Sequence, residues 1–331
     1  MKTAWKVALG VGGALALGTA AAMVWTYEKA FRPQNEQERI PENLPEMEQV
    51  DQHRDEILAN MKAFSKHPYE DVFIESFDGL CLHARFYAGN EDAPVVIAFH
   101  GFRSVASRDF SGGMNYYYEH GLNLLLVDHR SHGLSQGRSI TFGVKERYDC
   151  LAWANYADER FGGKKKILLT GISMGAATVL MASELDLPLR VVGIIADCPY
   201  SAPADILLKV GKDLKVPDAP SRFLLQSSAR MLAGFDMFES SAKAAVASTK
   251  APILLIHGED DDFVPASMSE EIAKSAKEGM VEFHTFPGAA HAFSFLSDKE
   301  RYRSLIQSFF LRVADFDLEA SIRKEPEAKK E

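Results

Sequence analysis

The sequence predicts an α/β fold: a mostly parallel central sheet with helices on both faces and a helical insertion at one end. Three observations carry this expectation. Strand-like and helix-like segments alternate repeatedly from about residue 70 to 313. Most of the strand-like segments are unbroken apolar runs, as strands covered on both faces must be. One interval, 199–249, drops the alternation and reads as helices alone.

The elements follow in order. A helix-like stretch runs from Asp51 to Ser65. "DVFIESF" and "LCLHARFYA" meet at Asp78-Gly79, which predicts a hairpin. "PVVIAFHG" reads as a buried parallel strand, residues Ser107–His120 as a helix, and "LNLLLVD" as the next strand, followed by the polar loop "HRSHGLSQGR". Residues 143–160 have a helical pattern, "KKILLTG" is a strand and 174–185 a helix. "RVVGIIADC" and "PILLIHG" are strands on either side of the insertion. Residues 266–278 form a helix, "VEFHTFP" the last strand and 298–313 an amphipathic helix, before a charged tail over 314–331. The insertion contains "ADILLKV", "SRFLLQSSARML" and "MFESSAKAAV", linked through Pro217 and Pro220.

The N-terminal segment, 1–32, differs from the rest. Val7 to Trp25 carries no charge, and about nineteen residues at 1.5 Å each nearly match a hydrocarbon core of about 30 Å. Trp5, Trp25 and Tyr27 stand where interfacial aromatics stand. The expectation is a single-pass membrane anchor with the folded part outside the cytoplasm. The alternative is a signal peptide cut near Ala20–Ala22 and a secreted product. Gly10, Ala14, Gly18 and Ala22 form a small-residue stripe that would let two such helices pack, so a homo-oligomer is a further expectation. Residues 33–66 read as a polar, proline-bearing linker and then the first helix.

Composition narrows the function. The 331 residues are 47% hydrophobic and 25% charged, with a formal charge of −9. No domain-sized basic surface is indicated, which argues against nucleic acid as a partner. Cys81, Cys150 and Cys198 lie far apart with no CxxC spacing, so they read as buried thiols rather than a disulfide framework or a zinc site.

The chemistry sits in Gly171-Ile172-Ser173-Met174-Gly175. Glycine weakens both strands and helices, so two of them flanking a serine at a strand-to-helix junction imply a geometric demand. That context makes the stretch a nucleophile elbow, a sharp turn that holds the hydroxyl of Ser173 clear of the backbone. Serine needs a base and the base an orienting acid, in the chain order serine, acid, histidine. His257 and His284 fall in strands. His291, in the small-residue loop "PGAAHAFSF", is the expected base. The acid belongs on a loop leaving a strand: Asp260, Asp261 and Asp262 qualify equally by spacing, with Asp197 a further candidate. The backbone amides of Met174 and Phe102 are the expected oxyanion donors, and His100 the buttress of the Phe102 loop. His129 and His132 lack an evident third ligand, so no metal is expected, and no organic cofactor either.

These motifs resemble those of the α/β-hydrolase superfamily over roughly residues 70–313. They are His100-Gly101-Phe102, the "DHRSHGLS" loop, the Gly171–Gly175 elbow, "HGEDDDFVP" and the His291 loop. Within the superfamily the chain looks most similar to serine-aminopeptidase-like and monoacylglycerol-lipase-like hydrolases, including membrane-anchored bacterial members. The resemblance implies an α/β-hydrolase fold over 67–313 with 199–249 at the lid position. It implies Asp261 as the acid, because the family's acid stands third after His-Gly and three before Val-Pro. The family's Arg-Gly-His-Gly appears here as Arg130-Ser131-His132-Gly133. The expected activity is hydrolysis of a small-molecule ester or acyl substrate through an acyl-enzyme. A peptidase or aminopeptidase-type amide hydrolase is the alternative, and a non-catalytic membrane-tethered binding module the remote one.

Overall fold

Each apolar strand divides its side chains between two cores, as the two-residue period of a strand requires. In β3 (Val95–Phe99), Val95, Ile97 and Phe99 join a core with Trp153, Leu169 and Met181. Val96 and Ala98 join another with Met114, Leu122, Phe309 and Phe310. The sheet between these cores is therefore buried on both faces, which is why its strands read as solid apolar runs.

The structure, a computed structural model, describes residues 17–34, 42, 44 and 48–324. The strands are β1 (Glu70–Glu75), β2 (Cys81–Tyr87), β3, β4 (Asn123–Val127), β5 (Ile167–Ile172), β6 (Val191–Asp197), β7 (Ile253–Gly258) and β8 (Val281–Phe286). They form one eight-stranded sheet in the order β1-β2-β4-β3-β5-β6-β7-β8. β2 is antiparallel to β1 and β4, and the remaining pairs are parallel. Gly79, at φ 80°, closes the β1–β2 hairpin where Asp78-Gly79 predicts it.

The helices are α1 (17–30), α2 (Glu48–Phe64), α3 (Ala106–Asp109), α4 (Ser111–Glu119), α5 (Glu146–Arg160), α6 (Met174–Ala182), α7 (Pro203–Asp213), α8 (Asp218–Ser228), α9 (Ala242–Ala245), α10 (Ala266–Ser275), α11 (Ser294–Ser297) and α12 (Lys299–Ala314). The single helix expected over Ser107–His120 divides at Phe110 into α3 and α4. Residues of α2, α4 and α12 pack on one face of the sheet. Those of α5, α6, α7, α8 and α10 pack on the other. Between β6 and β7 the chain forms α7, α8, a π-helical turn at Ala229–Ala233, and α9.

The N-terminal expectation requires correction. No helix among the described residues is long and apolar enough to cross a membrane, so a single-pass anchor and the extracytoplasmic placement built on it are not supported. Residues 1–16, with Gly10 and Ala14 of the small-residue stripe, lie outside the described residues. The part that is described binds the folded domain. Ser228 Oγ of α8 donates to Met23 O at 2.9 Å, and Tyr27 Oη donates to Arg138 O at 2.7 Å. Phe31 is wholly buried, edge-on to Phe142 and Phe235. Within the uncharged run itself Leu17, Val24 and Trp25 stay exposed, so the docking is carried by the Met23 carbonyl and by Tyr27 and Phe31 just beyond the run.

The polar loop after β4 is fixed by Arg130. Its guanidinium donates to both carboxylate oxygens of Asp149 at 2.6 Å and to Asp78 at 3.0 and 3.1 Å. A buried cation needs such full pairing to offset its lost hydration.

Candidate active site

Ser173 sits between β5 and α6 with φ 56° and ψ −115°, a conformation that costs a non-glycine residue about 1–3 kcal/mol. The flanking glycines explain how the turn is possible. A Cβ on Gly171 would overlap the backbone of Gly175, and one on Gly175 would overlap the carbonyl of Phe99. Strand β3, strand β5 and helix α6 approach one another closer than any side chain allows. Ser173 N–H donates to Asp197 O at 2.9 Å, which ties the turn to β6.

The structure brings Ser173, His291 and Asp261 together. His291 Nε2 lies 2.9 Å from Ser173 Oγ, and His291 Nδ1 lies 2.6 Å from Asp261 Oδ2. The other oxygen, Asp261 Oδ1, accepts the amides of Phe263 at 3.0 Å and Val264 at 2.7 Å. Asp260 and Asp262 are exposed, whereas Asp261 is buried. Burial alone would raise the Asp261 carboxyl; hydrogen bonds from His257 and His291, with the charge of His291, outweigh it and hold the group at about 2. Asp197 lies elsewhere in the same region, accepting Ser294 Oγ at 3.1 Å, and its burial pushes it up to about 6.

Phe102 lies on the loop after β3 and Met174 at the first turn of α6. Gly101 is pressed against the serine: a Cβ there would meet Asp109 Oδ2 at 3.1 Å and Ser173 Cβ at 3.5 Å. Three histidines support this loop. Arg103 N–H donates to His132 Nε2 at 3.2 Å, and His129 N–H to His100 Nε2 at 3.3 Å. His132 Nε2 thus spends its lone pair on a backbone donor, and His129 Nε2 faces the His100 carbonyl at 3.1 Å, so both rings are engaged in holding the loop. Burial lowers His100 and His129, keeping both rings neutral. One group of potential metal ligands does converge among the described residues: Cys198, Asp261 and His291 offer atoms within 4.8 Å of one another. The facing atoms of Asp261 and His291 already share a proton at 2.6 Å, and burial pushes the Cys198 thiol well up. This donor set suits a hydrogen-bonded relay better than a cation.

Three contributors escape a reading of the sequence. Asp109 accepts Gly101 N–H at 2.7 Å and the Ser104 hydroxyl, fixing the loop that carries Phe102. His257 shares its Nε2 between Val264 O at 2.7 Å and Asp261 Oδ2 at 3.2 Å, holding the acid from behind. Gln49 of α2 grips the loop before His291, donating to Gly288 O at 2.6 Å and accepting from Ala290 N at 3.0 Å. Only His257 left a trace, as the fourth residue before the acid. The Gln49 contact joins positions 241 residues apart, and no local pattern encodes that.

A cavity of about 670 Å³ opens on Ser173 and His291. Its cover comes from α2, Leu44 and the 291–296 segment, and none of residues 199–249 lines it. The insertion reaches the site from the side, where the Lys209 ammonium donates to Asp262 O.

The sequence model of the alpha/beta hydrolase family matches residues 95–305, most of the chain. The chain belongs to the alpha/beta hydrolase family. Among its relatives is the uncharacterized protein YqkD of Bacillus subtilis, 26% identical over 61% of this chain and 66% of YqkD. The thiohydrolase aneE of Aspergillus aculeatus is 26% identical over half of each chain, so these matches span half to two-thirds of the relatives' length. The solved structure of the Pyrococcus furiosus esterase Pf2001 superposes with a TM-score of 0.60 at 24% identity, covering 76% of this chain and 93% of the esterase. The Penicillium alpha/beta hydrolase GrgF also gives 0.60, at 19% identity, over 75% of this chain and 100% of GrgF. At these identities the superpositions establish the hydrolase fold. Neither the comparisons nor the described residues support a membrane-anchored subtype or a homo-oligomer.

Proposed function

We propose that this hydrolase cleaves carboxylic esters of small molecules through an acyl-enzyme on Ser173. The observation that carries the proposal is the unbroken line from Ser173 Oγ through His291 to Asp261, at 2.9 and 2.6 Å. His291 donates its Nδ1–H to the Asp261 carboxylate, which leaves Nε2 to accept the serine proton. Ser173 Oγ attacks the ester carbonyl as its proton passes to Nε2. His291 then returns that proton to the departing alcohol. Water, deprotonated by the same nitrogen, cleaves the acyl-enzyme and restores the serine. The amides of Phe102 and Met174 stabilise the oxyanion in both steps, each worth about 2.7–4 kcal/mol in such sites.

Ester is preferred to amide because the cavity is mostly apolar-walled and the named relatives include an esterase. A thioester is the second reading, favoured by the thiohydrolase among the relatives. The test is fluorophosphonate labelling followed by peptide mapping, together with turnover of p-nitrophenyl esters, acyl thioesters and aminoacyl anilides. The expected result is an adduct on Ser173, absent from Ser173→Ala, and esters cleaved faster than anilides. An unlabelled Ser173 in folded protein overturns the mechanism; faster anilide cleavage overturns the substrate class in favour of a peptidase.

A further inference from the structure

The cavity has an unusual wall. Helix α2 lies N-terminal to the whole sheet, yet Val50 and Ile57, buried on its inner face, line the space in front of Ser173. Phe110 and Met114 line it from the α3–α4 side, and Phe293 and Leu296 from the His291 side. Among the charged groups that border the space, Asp109 takes Gly101 N–H, Arg108 lies 3.6 Å from Asp109, and Arg103 donates to the carbonyls of Glu28 at 3.2 Å and Arg32 at 2.8 Å; Asp197 and Asp262 border it as well. The helix is fastened at three points. Gln49 holds the 288–290 loop, Asn115 of α4 donates to Asn60 O at 3.1 Å, and Glu56 pairs with Lys299 of α12 at 2.5 Å. A wall fastened this way is a fixed surface. On the opposing helix stands Gly113, where an added Cβ would meet nothing within 4 Å. Glycine weakens a helix interior. Gly113 also lines the cavity, so a side chain added there has open space beside it to extend into.

Resting on the ester-hydrolase reading above, we propose that this cavity is a chain-length-selective subsite for an unbranched, medium-length apolar acyl group, with Val50 and Ile57 of α2 and the bare backbone of Gly113 setting its length. The volume, about 670 Å³, is mid-range for a site that encloses a small ligand. The chain is assigned to the acyl side because the acyl group stays bonded to Ser173 through both steps, whereas the alcohol leaves after the first. A rigid pocket therefore aids both steps only if it holds the acyl part.

The test uses the full chain and two ester series. In one, p-nitrophenyl acetate, butyrate, hexanoate, octanoate and decanoate vary the acyl group; in the other, alkyl acetates vary the alcohol. The expected kcat/KM rises about three- to fourfold per added methylene along the acyl series until the end wall is reached, and then falls. Gly113→Leu lowers the octanoate-to-acetate ratio of kcat/KM by tenfold or more and moves the optimum to shorter chains. Ile57→Ala moves it to longer ones. Gly113→Ala, which the open space accommodates, gives a smaller shift in the same direction as leucine and serves if the leucine variant fails to fold. An acyl profile that is flat, or unmoved by these substitutions in folded protein, overturns the subsite. A dependence on the alcohol series instead places the chain on the leaving-group side and also overturns it. If no ester turns over and Ser173 takes no fluorophosphonate, the ester-hydrolase reading itself has failed, a result distinct from a flat profile with active enzyme.

Discussion

The substitution Asp261→Asn isolates the role of the acid with almost no change in shape. Asp261 Oδ1 accepts two backbone amides, at 3.0 and 2.7 Å, and an –NH₂ group cannot accept them. The asparagine must therefore keep its oxygen at that position and turn its –NH₂ toward His291 Nδ1. A donor now faces Nδ1, so the imidazole must present a lone pair there and carry its proton on Nε2. That proton points at Ser173 Oγ, and the base can no longer accept the serine proton. The wrong tautomer costs about 10⁴-fold in kcat in comparable triads, or about 5.4 kcal/mol. The assay is steady-state hydrolysis of p-nitrophenyl butyrate, with thermal unfolding to verify that the variant is folded. Asp260→Asn, one residue earlier with an exposed side chain, is the control and stays within about twofold. A folded Asp261→Asn enzyme within tenfold of the parent refutes the reasoning: the acid would then not set the tautomer of His291.

Further expectations follow from other contacts. Gln49→Ala removes two hydrogen bonds from the 288–290 loop, at about 0.5–1.5 kcal/mol each; kcat should fall about 5- to 150-fold with KM little changed, and an unaltered kcat would show that α2 does not position His291. Gly175→Ala drives a methyl group into the Phe99 carbonyl and should destabilise the protein by about 3 kcal/mol or more, read as a fall in Tm. The Asp261 carboxyl, held at about 2 against 3.8 ordinarily, contributes about 2 kcal/mol of stability above roughly pH 4 that is lost as pH falls toward 2. Asp261→Asn should therefore flatten that acid limb of the stability curve. His83 behaves in the opposite sense. Burial would lower it, but Asp128 at 2.7 Å and Asp71 at 2.8 Å outweigh burial and raise it, so its stabilisation is complete below about pH 6.5 and is lost as pH rises through the folded value. Thermal unfolding from pH 6 to 9 should show this decline, and Asp71→Asn should weaken it.

Much of the fold was legible because its signals are local. A strand buried on both faces must be apolar throughout, so β3 to β7 announced themselves. An αL turn at Asp78-Gly79 and an elbow between two glycines are decided within a few residues. Ser173 and His291 could be put forward as candidates for the same reason: one is marked by its immediate flanks, the other by its loop between the last strand and the last helix. Asp261 stood level with Asp260 and Asp262 until a resemblance separated them, because three adjacent carboxylates differ only in which one the turn points inward.

Other features had no local signature. The uncharged run at the N-terminus satisfied the length rule for a membrane span, yet no described helix can span one; Met23, with Tyr27 and Phe31 just past the run, contacts the folded domain while Val24 and Trp25 stay exposed. Which residues of such a stretch meet the folded domain depends on a distant surface and leaves no local signal. Nor could spacing foresee that α2 would wall the cavity and grip the loop of His291 from 241 residues away, while the insertion at 199–249 left the cavity unlined. The sequence by itself determined which elements form and which residue types are candidates for the chemistry, because backbone geometry and hydrophobic period act between neighbours. Only the tertiary structure decided which carboxylate faces the imidazole, what encloses the serine and where the first helix lies, because those outcomes depend on which distant surfaces exclude water together.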